Sequence, residues 1–179
     1  MKLNQAELDL LVLTAQNGSH KAFGLLVEIH HKPLVGFAFK LGNDRELAND
    51  AVQESWIKAA KNLRKLKDPR AFKSWIYRLV RWKVLDMLRR KSNELTQFEE
   101  LDEESSSNVL DSEPSDNESL SIAIKQLPKT EKQIIHLFYL DEMKLAEISL
   151  ILEIPIGTVK SRLNRARNML KKKYQQLEN

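Results

Sequence analysis

The 179-residue chain contains no cysteine, and this absence excludes a disulfide framework, a thiolate metal site and a cysteine nucleophile. It suits a reducing cytoplasm. Glycine and proline number only five each, too few for a repetitive or low-complexity fold. No apolar run approaches the length needed to span a bilayer, and the stretch around Leu10 to Leu13 lacks the basic start and small-residue cleavage site of a secretory signal. There is no Gly-rich phosphate loop and no nucleophile motif. Of the four histidines, only His30 and His31 are neighbours, and about 100° of helical rotation between them makes a poor metal-ligand pair. No catalytic role and no cofactor are therefore expected.

Lysine and arginine are missing from one long segment. Residues 92–118 carry ten acidic residues and no basic one, whereas residues 1–91 carry 18 Lys+Arg against 9 Asp+Glu and residues 119–179 carry 11 against 6. The formal charge of +4 thus conceals two basic modules joined by an acidic strap, and basic modules favour a polyanionic partner. Runs such as Ser105-Ser-Ser-Asn and Asp111-Ser-Glu-Pro bury too little apolar surface to offset the entropy of ordering. The strap is expected to be a flexible linker.

Strand patterning is poorly supported, while helical spacing recurs throughout, so the expected fold is all-α, with two small helical domains of four helices each. Helix one should run from about Gln5 to Asn17, closed by Gly18. Ser19 should cap a second helix that Pro33 bends or interrupts. Asn43 or Asp44 should cap a third helix, through about Leu63, with Leu47, Ala48, Ala51, Val52, Ser55 and Ala59 on its core face. After a loop at Lys67-Asp68-Pro69, a fourth helix from about Arg70 to Lys91 should be contacted from two sides. Phe72, Trp75, Ile76, Leu79 and Val80 share one of its faces; Tyr77, Arg78 and Arg81 share the other.

The last third holds a short amphipathic helix (Leu145 to Leu152, burying Leu145, Ile148 and Leu152), a turn at Glu153 to Pro155 and a basic second helix: the layout of a helix-turn-helix. On the second helix Val159, Leu163, Ala166 and Leu170 fall on one narrow face. Ser161, Asn164, Arg165 and Asn168 point away, with Lys160, Arg162 and Arg167 on the flanks. Donors for base edges are thereby set beside charges for phosphates. Gly157 leaves room for close backbone approach. The bland alternative is an ordinary surface helix pair, against which stand the proline position, the cationic bias and the tight apolar stripe.

Between Lys58 and Lys91, thirteen basic residues are interleaved with Phe72, Trp75, Tyr77 and Trp82. Positive charge with aromatic faces suits unpaired bases, because each stacked base contributes roughly 1–3 kcal/mol. Phe72 and Trp75 lie on the apolar stripe and read first as core; Tyr77 is the better candidate for contact.

Three segments carry a family resemblance that covers nearly the whole chain. Asp50-Ala-Val-Gln-Glu-Ser-Trp-Ile-Lys-Ala resembles the polymerase-docking helix of extracytoplasmic-function (ECF) sigma factors of bacterial RNA polymerase. Phe72-Lys-Ser-Trp-Ile-Tyr-Arg-Leu-Val-Arg is similar to their promoter-melting helix, and Pro155-Ile-Gly-Thr-Val-Lys-Ser-Arg-Leu-Asn-Arg-Ala-Arg to their second-domain recognition helix. Leu127-Pro-Lys-Thr-Glu-Lys-Gln-Ile-Ile matches the opening of that second domain, with Thr130 and Glu131 available to start a helix.

The resemblance implies a cytoplasmic protein without catalysis of its own that binds core RNA polymerase, directs it to promoters and helps open the duplex. Residues 1–91 would form the region that binds core, melts the promoter and reads the minus-ten element; 92–118 the acidic linker; and 119–179 the helix-turn-helix domain that reads the minus-thirty-five element. Asp50, Gln53 and Glu54 would face the beta-prime clamp, and the second domain would meet the beta flap. Arg64, Lys65, Lys67, Arg70 and Lys73 would line the loop that holds an unpaired minus-ten base, with Tyr77 and Arg81 tracking the separated strand. Lys160, Ser161, Arg162, Asn164 and Arg165 would read the minus-thirty-five element. An anti-sigma factor, often membrane-anchored in this family, is an expected partner, with no membrane insertion by the chain itself. Two departures stand out: Trp82 occupies a position where the family commonly has asparagine, and Asp141-Glu-Met-Lys-Leu-Ala-Glu-Ile replaces a glycine-containing entry to the helix-turn-helix. The main alternative from another class is a stand-alone helix-turn-helix regulator of duplex DNA, which explains the last helix pair but not the helices before the strap.

Overall fold

The computed structural model describes residues 4–98, 123–124 and 126–177, which are mainly helical and contain no strand. Four helices make up the first half: α1 (Gln5–Gln16), α2 (His20–Gly42), α3 (Arg45–Asn62) and α4 (Phe72–Phe98), with short 3-10 turns at Leu63–Lys65 and Pro69–Ala71. The second half contains α5 (Lys129–Ile135), which passes directly into a π-helical turn (His136–Leu140), then α6 (Leu145–Leu152) and α7 (Ile156–Leu177). Three helical rods thus stand among the described residues where the sequence suggests four, with residues 123–124 helical ahead of them.

Side-chain caps set the helix starts. The Asn4 carboxamide accepts from the Glu7 amide at 3.0 Å while the Glu7 carboxylate accepts from the Asn4 amide at 2.8 Å, a reciprocal capping box. Ser19 Oγ accepts from the Ala22 amide, and Asp44 Oδ1 from the Leu47 amide. Gly18, at φ 97°, supplies the left-handed turn between α1 and α2, and Asn43 does so at φ 53° after α2.

Of the two effects the sequence allows, Pro33 does not interrupt α2, which runs unbroken through it. Pro33 faces solvent, and the apolar face formed by Leu26, Leu34, Phe37, Ala38 and Leu41 is buried on both sides of it. Burial of these side chains, at about 1.5–3 kcal/mol each for the larger ones, offsets the one lost backbone hydrogen bond. Likewise α4 runs through Phe98, seven residues beyond Lys91 and into the segment read as linker. Residues 99–122, most of that segment, lie outside the described residues.

The core faces of α2, α3 and α4 meet as their spacing requires. Leu47, Ala48, Ala51, Val52, Ser55 and Ala59 of α3 are all buried, as are Phe72, Ile76 and Val80 of α4. Phe72, with no exposed surface, packs against His30 (5.5 Å between centroids), Trp56 and Trp75, and so belongs to the core. In the second half Ile134, Leu137, Ile148, Ile151, Val159, Leu163 and Ala166 form the corresponding apolar layer. The two layers join into one hydrophobic cluster, because Phe37 contacts both Tyr77 (5.1 Å) and His136 (6.3 Å). Helix α4 is consequently contacted from two sides, by α2 and α3 on one and α6 on the other.

Candidate nucleic-acid interface

Helix α7 has the amphipathic geometry that its sequence pattern predicts. The αL conformation of Glu153 (φ 57°) ends α6, the turn through Pro155 starts α7, and Val159, Leu163 and Ala166 are buried against the rest of the second half. Lys160, Ser161, Asn164, Arg165 and Asn168 are exposed, and Arg162 is half-buried. Ser161 Oγ donates to the Thr158 carbonyl at 3.0 Å. A Cβ at Gly157 would meet no protein atom within 4 Å, so no close approach within this chain requires that glycine.

Two contacts beneath this surface escaped the sequence reading. Thr130 and Glu131 do not cap α5; Thr130 Oγ1 instead donates to Glu131 Oε2 at 2.6 Å, and Glu131 Oε1 lies 3.6 Å from Arg165 Nε. The hydrogen bond from Thr130 leads in holding the Glu131 carboxyl below its ordinary range, with Arg165 and Arg162 adding to it. The Arg167 guanidinium lies over the rings of Phe138 and Tyr139, and its Nε donates to Tyr139 Oη at 2.7 Å.

The seven residues expected at the melting site fall into two groups. Arg64, Lys65, Lys67 and Arg70 form an exposed basic edge along the two 3-10 turns. Gln16 fixes that edge, its Nε2 donating to the carbonyls of Leu63 (2.9 Å) and Leu66 (2.7 Å), while Arg64 Nε donates to the Gln16 carbonyl. Arg70 forms a two-pronged pair with Asp68 (3.0 and 3.1 Å), which holds the Asp68 carboxyl below its usual range. Gln16 carries no motif signal; only the fold brings it to residues 63–66.

Lys73, Tyr77 and Arg81 turn instead toward the second half. Lys73 Nζ donates to the Asp141 carbonyl at 2.6 Å, Tyr77 Oη donates to Asp141 Oδ1 at 3.0 Å, and Arg81 Nη1 lies 3.9 Å from Glu153 Oε2. Trp82 Nε1 donates to the same Glu153 oxygen at 3.0 Å. Tyr77 is only 1% exposed, which corrects the expectation of an accessible aromatic on the outer face of α4. The π-helical turn makes this contact: its extra residue per turn, closed by Asp141 N–H to the His136 carbonyl, delivers Asp141 to α4. Burial raises the Asp141 carboxyl to about 6, and burial lowers His136 to about 4, so their 3.3 Å approach is between groups both biased toward the neutral form.

Asp50, Gln53 and Glu54 are exposed along α3. Glu54 pairs with Lys83 of α4 across a groove of about 550 Å³ that Ile57, Lys58 and Trp82 also line. Ile57 (51%) and Trp82 (50%) are unusually exposed for their size, giving this charged surface an apolar floor that the motif reading overlooked.

No group of three or more metal-ligating side chains occurs among the described residues, and no described helix is long and apolar enough to cross a membrane.

Comparison with known proteins agrees with both halves of this arrangement. The Sigma-70 region 2 profile matches residues 26–94, and the Sigma-70, region 4 profile matches residues 118–170. The chain is 31% identical to the ECF RNA polymerase sigma factor SigW of Bacillus subtilis, with 90% of this chain and 94% of the relative covered. It is also 31% identical to the ECF RNA polymerase sigma-E factor of Haemophilus influenzae, covering 93% and 95%. Its fold is similar to that of the sigma factor RpoE in complex with the anti-sigma factor NepR from Bartonella quintana, with a TM-score of 0.71, 23% identity and 87% and 98% coverage. CnrH in complex with the cytosolic domain of CnrY gives 0.65 and 24%, covering 92% and 95%. With both regions matched in order and the relatives aligned over nearly their full length, the chain belongs to the extracytoplasmic-function family of RNA polymerase sigma factors.

Proposed function

We propose that the chain binds core RNA polymerase, directs it to promoters with a minus-thirty-five and a minus-ten element, and holds the separated strand while the duplex opens, with no chemical step of its own. It would work in the cytoplasm, alongside its template. The observation that carries this reading is the presence in one chain of three separate accessible surfaces: the α3 face of Asp50, Gln53 and Glu54, the basic edge from Arg64 to Arg70, and the outward face of α7. A stand-alone duplex regulator accounts for the last alone.

In this reading Asp50, Gln53 and Glu54 face the beta-prime clamp, and the second half docks on the beta flap. Lys160, Ser161, Arg162, Asn164 and Arg165 enter the major groove, where each bidentate base contact contributes roughly 1–3 kcal/mol of discrimination. Arg64, Lys65, Lys67, Arg70, Lys73, Tyr77 and Arg81 serve the melted strand through charge and stacking. Residues 1–91 and 119–179 act as two functional modules, with the acidic segment 92–118 between them. An anti-sigma factor, membrane-anchored in the family pattern, is the proposed antagonist.

Single-round transcription from a fragmented library of the source genome tests this reading, with core polymerase in the presence and absence of the chain. Discrete new start sites sharing two spaced elements are expected. Tight duplex binding by the chain alone, without new starts, would instead favour the stand-alone regulator.

A further inference from the structure

We infer that Glu131 is a positioning residue for minus-thirty-five recognition: held beneath α7, it aims the Arg165 guanidinium end-on at a guanine of the major groove. The inference rests on reading α7 as the helix that enters that groove. Glu131 is only 4% exposed, although Lys129 and Thr130 beside it in the first turn of α5 are open to solvent. A buried carboxylate is costly unless its oxygens have partners, and here both do. Oε2 accepts from Thr130 Oγ1 at 2.6 Å, and Oε1 faces Arg165 Nε at 3.6 Å. The Arg165 side chain is itself 69% exposed, so the pair links an acid of the interior to a cation of the outward face.

An acid set against a helix that approaches a polyanion opposes non-specific attraction, so this contact adds nothing to phosphate binding. What it adds is direction. With Nε engaged from inside, Nη1 and Nη2 are the donors left for a ligand, and such a parallel pair matches guanine O6 and N7. An unrestrained arginine samples many rotamers, and restraining it before DNA arrives removes part of the ordering cost from the base contact. The anchor keeps its charge at neutral pH, because the Thr130 hydrogen bond, then Arg165 and half-buried Arg162, hold the carboxyl ionised. Discrimination at one base pair is thus sharpened by a residue that touches no DNA.

The test measures holoenzyme binding to a promoter recovered from the transcription library, with each guanine of its minus-thirty-five element replaced in turn by 7-deazaguanine, which lacks N7. Replacement at one position should weaken wild type about tenfold. Arg165→Ala should lose that preference, and Glu131→Gln should reduce it to less than about threefold while the salt dependence and the affinity for duplex without the element stay as in wild type. In the Arg165→Ala background, Glu131→Gln should alter discrimination no further, as two residues acting as one unit require. Thr130→Ala removes the hydrogen bond that holds the carboxylate and should give the same loss in smaller measure; because Thr130 is exposed, it carries the test should Glu131→Gln not fold. Wild-type discrimination in Glu131→Gln would overturn the inference, as would an equal loss of affinity for every duplex, the mark of a merely structural role. Transcription separates this failure from that of the functional reading. Start sites that still depend on the minus-thirty-five element, while Glu131→Gln discriminates as wild type does, remove only the positioning role; start sites indifferent to that element remove the reading of α7 as well.

Discussion

Tyr77 Oη lies 3.0 Å from Asp141 Oδ1, joining the helix read as strand-binding to the residue that follows the π-helical turn of the other half. Burial, followed by the adjacent carboxyl, raises the phenol well above its ordinary range, so it remains a protonated donor throughout the physiological range. Asp141 gains a hydrogen bond for one oxygen, while Oδ2 lies 3.3 Å from His136 Nε2 without one.

Removing that donor leaves a desolvated carboxyl with less compensation. Tyr77→Phe, which preserves the ring and its packing on Phe37, should destabilise the folded chain by about 1–3 kcal/mol, and urea denaturation would measure it. Loss of less than a few tenths would mean that water replaces the phenol freely.

Phe72 is the test of the core beneath the same helix. It is fully buried between His30, Trp56 and Trp75, so Phe72→Ala should cost about 3–5 kcal/mol by transfer and cavity effects together. An equivalent truncation at exposed Trp82 should cost far less in stability, and thermal unfolding of the two variants compares them directly.

The buried histidines give the fold a definite pH response. Burial lowers both His30 and His136 to about 4, so between that value and the ordinary 6.5 the unfolded chain binds protons that the folded chain refuses. Stability should therefore fall as pH drops through this window, by up to about 3 kcal/mol per histidine. Asp141, raised to about 6, acts in the opposite sense over part of the window, because there the folded state holds the extra proton. Two groups outweigh one. His30→Phe should accordingly shrink the loss of urea midpoint between about pH 7 and pH 5, whereas an unchanged loss would show that His30 stays protonated in the fold.

The two docking surfaces should fail separately. Arg165→Glu should reduce discrimination for the minus-thirty-five element by roughly 1–3 kcal/mol, or about 5- to 150-fold, while core-polymerase affinity is retained. Gln53→Ala with Glu54→Ala should weaken core binding in a competition assay and leave promoter preference of the remaining holoenzyme intact. Loss of the exposed Glu54–Lys83 pair should alter stability by less than about 1 kcal/mol, so unfolding does not confuse the result. If both variants lost the same activity, the division of labour between α3 and α7 would be wrong.

How much of this could be read beforehand depends on the range of the interaction. Ser19 and Asp44 announce their caps because capping is settled within three residues, and of the two candidates before α3 it is Asp44 that caps it while Asn43 closes α2. The stripe of Val159, Leu163 and Ala166 announces the buried face of α7 because helical periodicity is local as well. Continuity of α2 through Pro33 was not legible, since it depends on apolar burial from partners elsewhere in the chain. The splitting of the melting residues was hidden for the same reason: Lys73 and Tyr77 are separated from Asp141 by 68 and 64 residues. Glu131 stands in the first turn of α5 as read, but its pairing with Arg165 was hidden because that partner lies on α7. Periodicity gave Tyr77 its face on α4 correctly but could not say that another half of the chain would cover that face.

The most direct measurement is permanganate reactivity of thymines in the minus-ten element of a promoter recovered from the transcription library. Core polymerase, the chain and both together would be compared on the same duplex. The account predicts reactive thymines only when polymerase and chain are combined, and their loss with Lys73→Ala and Arg81→Ala. Thymines opened by core polymerase alone, or a duplex bound tightly by the chain and left closed with polymerase present, would contradict it.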